Sequence, residues 1–385
     1  MNFDLRAHTI FLTLAGSRAY GIHNDTSDYD YRGLAIAPVS SYLGTKSKFE
    51  QCVDAKTKHV FKYYPGLVAD NSDIQVYELS KFMRLAADCN PSVIEILFSE
   101  KENWILSSKF SNRLIDNKHL FLTKLAKARF SGYALSQLKR IYRHKRWLEN
   151  PPTHKPTRAE FGLPEYSAIP ADQLGAAETL IAQQLEKYIV AQDNLSEDIR
   201  IELQENMLRI LKATWEGLQD SPFPIGHGMT YSSMEEVLEK KIMKLNFSDN
   251  FLEVLKKEKQ YKNALTEWNQ FCTWQETRNP ARAELERKFR YDVKHGAHLV
   301  RLLRMCREIL EHHEVRVRRP DAEEIVAIRN GAWSLEKLIE FAETEDKELD
   351  KVKVTSTLPY SPDYDKINDL CVSIILDFHK ETSHV

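Results

Sequence analysis

Two aspartates one residue apart, Asp28 and Asp30, follow a Gly16-Ser17 pair near the start of a 385-residue chain. On an extended segment, residues two apart point to the same side, so Asp28 and Asp30 project together while Tyr29 and Tyr31 turn the other way, into packing. Two convergent carboxylates suit a hard cation such as Mg²⁺, which takes oxygen ligands and keeps several waters and phosphate oxygens around it. Gly-Ser at a strand-to-helix turn supplies the complementary half. The glycine lets backbone N–H groups approach a phosphate closely, and the Ser17 hydroxyl adds a donor. Alone, a DxD is usually a solvated turn and a Gly-Ser an ordinary helix start. Together, in this order, they point to metal-assisted phosphate chemistry, with two ions about 4 Å apart activating a hydroxyl and neutralising a pyrophosphate leaving group.

These residues need a strand, a turn into a helix and a second strand. Residues 9–15 (TIFLTLA) are apolar and end at Gly16-Ser17, and residues 28–39 (DYDYRGLAIAPV) are part alternating and part apolar, both readable as strands. Residues 73–79 give a third β-rich segment, with an irregular stretch over 40–72. From Leu79 the pattern turns helical, with Leu79, Phe82, Met83, Leu85 and Ala86 at helical spacing, and Asn90-Pro91 ends one helix and begins another. Residues 119–149 read as one long basic helical region, and five prolines between Pro151 and Pro170 mark a loop or linker. Beyond about residue 176 the chain reads as almost wholly helical, including EEVLEKKIMKLNF and LIEFAETEDKELDKV. The expected fold class is therefore α+β: a small mixed-sheet domain over 1–110, a basic helical and Pro-rich region over 111–175, and a larger helical domain over 176–385.

A second polar cluster lies in RKFRYDVKHGAHLVRLLR, where Lys294, His298 and Arg301 fall at i, i+4 and i+7 of a helix. Such a stripe is either a solvated face or a grip on phosphate, since lysine offers a point charge and arginine a bidentate fork. A base role for His298 is the weaker alternative. In residues 130–147, Lys139, Arg140, Arg143, His144, Lys145 and Arg146 interleave with Tyr133, Tyr142 and Trp147. That mixture suits RNA backbone contact and base stacking, or else an amphipathic helix with its aromatics turned inward. Trp268, Phe271 and Trp274, three apart, read as core.

The string GSRAYG…SDYDYRG resembles the signature of the polymerase beta-type nucleotidyltransferases, and more narrowly the nucleotidyltransferases of bacterial RNA-repair operons and phage genomes. RNPARAELERKFRYDVKHGAHLVRLLRM looks like a later region of the same family, so the resemblance covers roughly residues 8–150 and 260–335. The stretch 160–260 and the tail after 340 match nothing specific. The resemblance implies transfer of a nucleoside monophosphate from an NTP to a hydroxyl, with Mg²⁺ or Mn²⁺ as cofactor and pyrophosphate released. It implies a third carboxylate at the start of a later strand, which Asp73 matches, with Glu78 as rival. Asp28, Asp30 and Asp73 would then hold one metal, and Asp28 and Asp30 a second. Gly16, Ser17 and Arg18 would hold phosphate, and Lys294, His298 and Arg301 would grip the triphosphate or the acceptor. Arg32 lies on the Asp28/Asp30 face and would either contact phosphate or pair with an acid. RNA, such as a tRNA end, is the favoured acceptor. Transfer to a protein or small molecule is the alternative within enzymes, and an inactive NTP- or RNA-binding module is the alternative outside them.

Composition sets the outer bounds. Hydrophobic residues make up 42% and charged residues 29%, ordinary for a globular chain, and the length suits two or three domains. No apolar run approaches the roughly 18 residues that span a bilayer, so no membrane partner is expected. The early Asp4, and a short apolar patch that runs straight into the Gly-Ser turn, argue against a signal peptide. Five scattered cysteines without a CxxC pair support neither a disulfide framework nor a thiolate zinc site, and fit a reducing, cytoplasmic setting. The net charge of -2 excludes a globally basic nucleic-acid binder but leaves room for a local basic groove.

Overall fold

A computed structural model of the chain describes residues 3–45, 48–53, 59–62, 64–67, 72–166, 249–278 and 280–382. The stretch EEVLEKKIMKLNF, the remainder of the helical reading over 176–248 and the end of the Pro-rich segment lie outside these residues. The architecture is α+β: a mixed five-stranded sheet in the N-terminal region, followed by a helical C-terminal region.

The chain opens with a one-turn helix α1 (Leu5–His8) and enters β1 (Thr9–Ala15). The short helix α2 (Gly16–Ala19) follows, then β2 (Tyr29–Ala35), a short α3 (Val39–Leu43), β3 (Gln51–Cys52) and β4 (Ser72–Glu78). Strand β5 (Trp104–Ser107) completes the sheet in the order β3-β4-β2-β1-β5. The β2/β4 pair is parallel and the other three are antiparallel. Compared with the sequence reading, β2 begins one residue after Asp28 and ends at Ala35, four residues short, because Pro38 has no N–H for the ladder and is the N-cap of α3, which starts at Val39.

Side-chain alternation explains which face of the sheet is dry. Tyr31 and Ala35 on β2 and Ile74 and Val76 on β4 are almost fully buried, packed with Leu12 and Phe61. Asp30 and Arg32 on β2, and Asp73 and Gln75 on β4, occupy the intervening positions and lie at or near the surface. Tyr29 and Tyr31, as read from the sequence, turn into this packing, with their rings stacked at 11°.

Helices α4 (Leu79–Ala87) and α5 (Pro91–Leu97) follow β4 without a loop of any length. Leu79, Phe82, Met83 and Ala86, at helical spacing, bury one face of α4. Asn90 caps α5 by accepting from Ser92 N–H at 3.1 Å, and Pro91 at the first position loses no hydrogen bond there. Helices α6 (Lys109–Asp116) and α7 (Leu125–Glu149) complete the N-terminal part.

The chain divides into two compact units, residues 1–145 with 281–385, and residues 146–280. The first contains the sheet and most of the C-terminal helices, namely α10 (Val293–His312), α11 (Ala322–Arg329), α12 (Leu335–Thr355) and α13 (Tyr364–Thr382). Helix α10 packs on α11 and α12, and α13 packs on α4 and α6. Hydrogen bonds clip these helices to the sheet region: Arg319 N–H donates to Tyr20 O at 3.0 Å, and the Arg329 guanidinium to Ile22 O at 3.1 Å. Within the second unit, α8 (Asp249–Thr277) holds Phe271 and Trp274 against Trp147, with ring centroids 5.7 and 5.4 Å away. Helix α9 (Pro280–Phe289) leads from there to α10.

Candidate active site

The parallel pairing of β2 with β4 sets Asp30 directly beside Asp73 in the ladder, and the antiparallel pairing with β1 sets Asp30 opposite Ala15. One residue past Ala15 the chain bends at Gly16, whose φ of +63° lies in the left-handed region that favours glycine. The bend brings the Gly16 backbone so close to Asp30 that a Cβ there would overlap the Asp30 carboxylate. Ser17 follows in the first turn of α2, and Ala15 at the N-cap has no side-chain acceptor to offer that turn. Asp28 is exposed, one residue before β2 begins. Gly16, Ser17, Asp28, Asp30 and Asp73 are thus gathered at one end of three adjacent strands.

Charge at this point is only partly balanced. The Arg32 guanidinium bridges two of the carboxylates, 3.3 Å from Asp30 Oδ1 and 3.0 Å from Asp73 Oδ2, and also donates to Asp73 O at 3.2 Å. Of the two roles open to Arg32, the structure therefore shows the ion pair with an acid. The Asp30 carboxyl nevertheless stays above the ordinary aspartate range. Desolvation is the main cause, Arg32 opposes it, and the neighbouring charges of Asp28 and Asp73 push the same way as desolvation. Lys294, at the start of α10, is near enough for its charge to be felt by Asp30, in the sense that favours the carboxylate. Lys294 is exposed.

Four further residues brace the Gly16-Ser17 turn. Arg18 donates to Ser27 O at 2.7 Å and to Asp28 O at 3.1 Å, and lies over the Tyr29 ring at 3.8 Å, so its guanidinium holds the backbone leading into β2. Tyr20 donates a short hydrogen bond to Glu95 on α5, and Arg301 on α10 pairs with the same carboxylate while lying 3.9 Å over the Tyr20 ring. Glu95 and Arg301 are both buried, and burial together with Glu95 drives the Tyr20 hydroxyl far above its usual range. Arg301, read from the sequence with Lys294 and His298 as one polar stripe, is therefore an interior residue at 3% exposure, its guanidinium committed to Glu95. His298 is half-buried, and its pKa is pushed down to about 3 by desolvation and by the positive charges of Arg301, His295, Arg140 and Lys294. It is neutral at physiological pH. Of the three stripe residues, Lys294 stands open beside the carboxylates.

Glu78, the rival to Asp73, lies at the far end of β4, opposite Ala35. It is buried, caps α4 by accepting from Lys81 N–H at 3.0 Å, and accepts from Tyr42 Oη at 2.6 Å, a helix-starting role. Sequence reasoning assigned no role to Tyr20 or Glu95. The only signal for them was their place in GSRAYG and in the α5 segment, and no local pattern links them to Arg301. On α7, Ala134, Leu138 and Ile141 face the core, while Lys139 and Arg140 are exposed and Tyr133 is 39% exposed. Trp147 is buried, so the aromatics of this helix divide between the surface and the interior.

A mixed sheet with carboxylates on adjacent strands beside a Gly-Ser turn fits a nucleotidyltransferase scaffold, and comparison with known families agrees. Residues 3–151 match the family model RlaP, described as RNA repair pathway DNA polymerase beta family. The match fits a polymerase beta-type nucleotidyltransferase of RNA-repair operons, and it contains Asp28, Asp30 and Asp73. Nucleotidyltransferase activity is what this family suggests, and polymerase beta-type nucleotidyltransferases generally use divalent metals. No curated protein and no solved structure matches the chain significantly. Among the described residues, no helix is long and apolar enough to cross a membrane.

Proposed function

We propose that the chain transfers a nucleoside monophosphate from an NTP to a hydroxyl, with an RNA end as acceptor and Mg²⁺ or Mn²⁺ held by Asp28, Asp30 and Asp73. The observation that carries this reading is the lateral pairing of Asp30 with Asp73, backed by the Gly16 bend. The donor set fits a hard cation, since it offers carboxylate oxygens, and desolvation together with the charges of Asp28 and Asp73 lifts Asp30 above its ordinary range. Ions bound there would lower the pKa of the acceptor hydroxyl and offset the charge of the leaving pyrophosphate.

The chain's own residues supply orientation. Ser17 donates to a terminal phosphate across the Gly16 bend, and Arg18 fixes that bend by holding Ser27 O and Asp28 O. Lys294 reaches the triphosphate from the opposite side. Arg301 acts at one remove: through Glu95 and Tyr20 it anchors both α10 and the end of α2. Arg32 gives up its bridge between Asp30 and Asp73 when the carboxylates take cations and turns to phosphate oxygens. The exposed Lys139 and Arg140 on α7 support an RNA acceptor by offering backbone-neutralising charge. The five scattered cysteines support a cytoplasmic setting.

The test is incubation of purified protein with Mg²⁺ and each α-labelled NTP, with and without total RNA. Label entering RNA, and lost in Asp28→Ala and Asp30→Ala variants that keep the wild-type circular dichroism, is the expected result. Label on the protein itself would move the acceptor to a side chain, and nucleotide binding without transfer to anything would move the chain to the inactive class.

A further inference from the structure

Close to Lys294, but outside the carboxylates of the proposed active site, lies a group of side chains with different chemistry. His144 near the end of α7 and Asp292 and His295 at the start of α10 turn toward one point, with Glu286 on α9 beside His144. His144 Nδ1 lies 3.6 Å from Glu286 Oε1 and 3.8 Å from Asp292 Oδ2, and His295 Nε2 lies 3.5 Å from Asp292 Oδ2. The ligand atoms of His144, Asp292 and His295 all fall within 4.8 Å of one another.

We infer that His144, Glu286, Asp292 and His295 form a binding site for a divalent transition metal, zinc above all, that fixes the start of α10. Three observations lead there. The first is spacing. Zinc bonds of about 2.0–2.2 Å to imidazole and carboxylate, arranged tetrahedrally, put neighbouring ligand atoms about 3.4 Å apart. The separations of 3.5–3.8 Å approach that tetrahedral edge, and exceed the usual span of an N–H···O bond. The ligand atoms of His144 and His295 stay within 4.8 Å of each other, so an ion draws them inward to close the cage.

The second is charge and burial. Glu286 is 2% exposed and Asp292 1%, and both direct an oxygen at imidazoles. Two carboxylates beside two imidazoles attract a dication by their charge, and the histidines bind it in their neutral form, as ligands must. The third is preorganisation. Asp292 Oδ1 accepts from Lys294 N–H at 3.1 Å and His295 N–H at 3.2 Å, capping α10, which leaves Oδ2 directed at both histidines. A Cβ at Gly296 would come within 2.9 Å of the Tyr291 ring, so the first turn of α10 is pressed onto its neighbour and the ligands are held by packing.

Two imidazoles with two carboxylates select a different ion from the all-oxygen set of the active site, because imidazole suits zinc and its neighbours whereas Mg²⁺ prefers oxygen. Four protein ligands make a closed, structural site. An ion at this position joins the ends of α7 and α9 to the residues on either side of Lys294.

The experiment uses the full chain stripped with a strong chelator and dialysed. Zinc titrated into it, followed by calorimetry and by metal content after gel filtration, is expected to bind at one equivalent and to raise the melting temperature. The same binding is expected in Asp28→Asn/Asp30→Asn, which separates this site from the other. His144→Gln or His295→Gln should weaken zinc binding at least about tenfold, and His295→Cys, which restores a ligand, should recover it. Lack of stoichiometric zinc binding by the stripped wild-type chain overturns the site, as does binding unaffected by either glutamine variant or abolished in Asp28→Asn/Asp30→Asn.

Discussion

The Asp30 carboxylate fills the space that a side chain on Gly16 would need. Two separate demands on residue 16 follow: a positive φ, and nothing beyond Cα. Alanine at this position meets neither. Gly16→Ala is expected to cost about 1–3 kcal/mol of stability, from left-handed strain and displacement of Asp30. It should reduce nucleotidyl transfer far more than that loss explains at a temperature where the variant is folded. Urea unfolding and transfer assays on the same preparation measure both effects, and an alanine variant with unchanged stability and activity would show that the close approach is absent in solution.

Asp30 is expected to make metal binding pH-sensitive above the range of an ordinary aspartate. Its folded pKa is raised by desolvation and by Asp28 and Asp73, so in the metal-free protein the carboxyl keeps its proton to higher pH, and a cation must displace that proton. The sign follows directly: Mn²⁺ affinity falls as pH drops through the raised pKa. Removing one like charge with Asp28→Asn should move the inflection to lower pH, while also weakening binding at neutral pH by the loss of a ligand. Mn²⁺ titrations between pH 4 and 8 by electron paramagnetic resonance would report both.

His298 gives a stability effect of the opposite chemical type. Its folded pKa of about 3 lies below the ordinary 6.5, so the unfolded chain binds the extra proton first. Stability from this residue is complete above pH 6.5 and declines as pH falls toward 3. His298→Gln should therefore flatten the loss of stability between pH 6.5 and 4 relative to wild type, read from urea midpoints. Around neutral pH the transfer rate of this variant should keep the wild-type pH profile, because an imidazole with a pKa of about 3 does not titrate there.

Arg301 and Glu95 should behave as a buried pair. Arg301→Met leaves Glu95 charged in the interior, and truncation of one partner of such a pair costs about 3–5 kcal/mol. Combining it with Glu95→Gln should recover part of that loss. Because Tyr20 hydrogen-bonds Glu95, both variants should also raise the KM for NTP by loosening the end of α2. A single variant with wild-type stability would place Arg301 outside the core.

Much of the site could be read from the sequence because its signals are local. Residues 9–15 read as a strand and form one, and Tyr29 and Tyr31 turn into the packing as their alternation suggests. What resisted reading is non-local. Strand β3 has two residues and β5 four, too short for any alternation to register. A helical wheel groups Lys294, His298 and Arg301 on one face. Only the fold shows that Arg301 meets Glu95, 206 positions away in sequence, while Lys294 remains exposed beside Asp30. His144 looked like one more basic residue in a run of them, because its partners Glu286, Asp292 and His295 arrive from the other end of the chain. Likewise, the order of elements along the chain gives no sign that residues 281–385 share a compact unit with the sheet.

The central claim is that Asp28, Asp30 and Asp73 together hold a cation beside the Gly16-Ser17 turn. Crystals soaked in Mn²⁺ with a non-hydrolysable NTP test it directly through anomalous scattering at the manganese edge. The account predicts a peak within bonding distance, about 2.2 Å, of oxygens from Asp30 and at least one of Asp28 and Asp73, with Arg32 swung off its bridge. Carboxylates still clasped by Arg32, with manganese bound elsewhere or not at all, would contradict it.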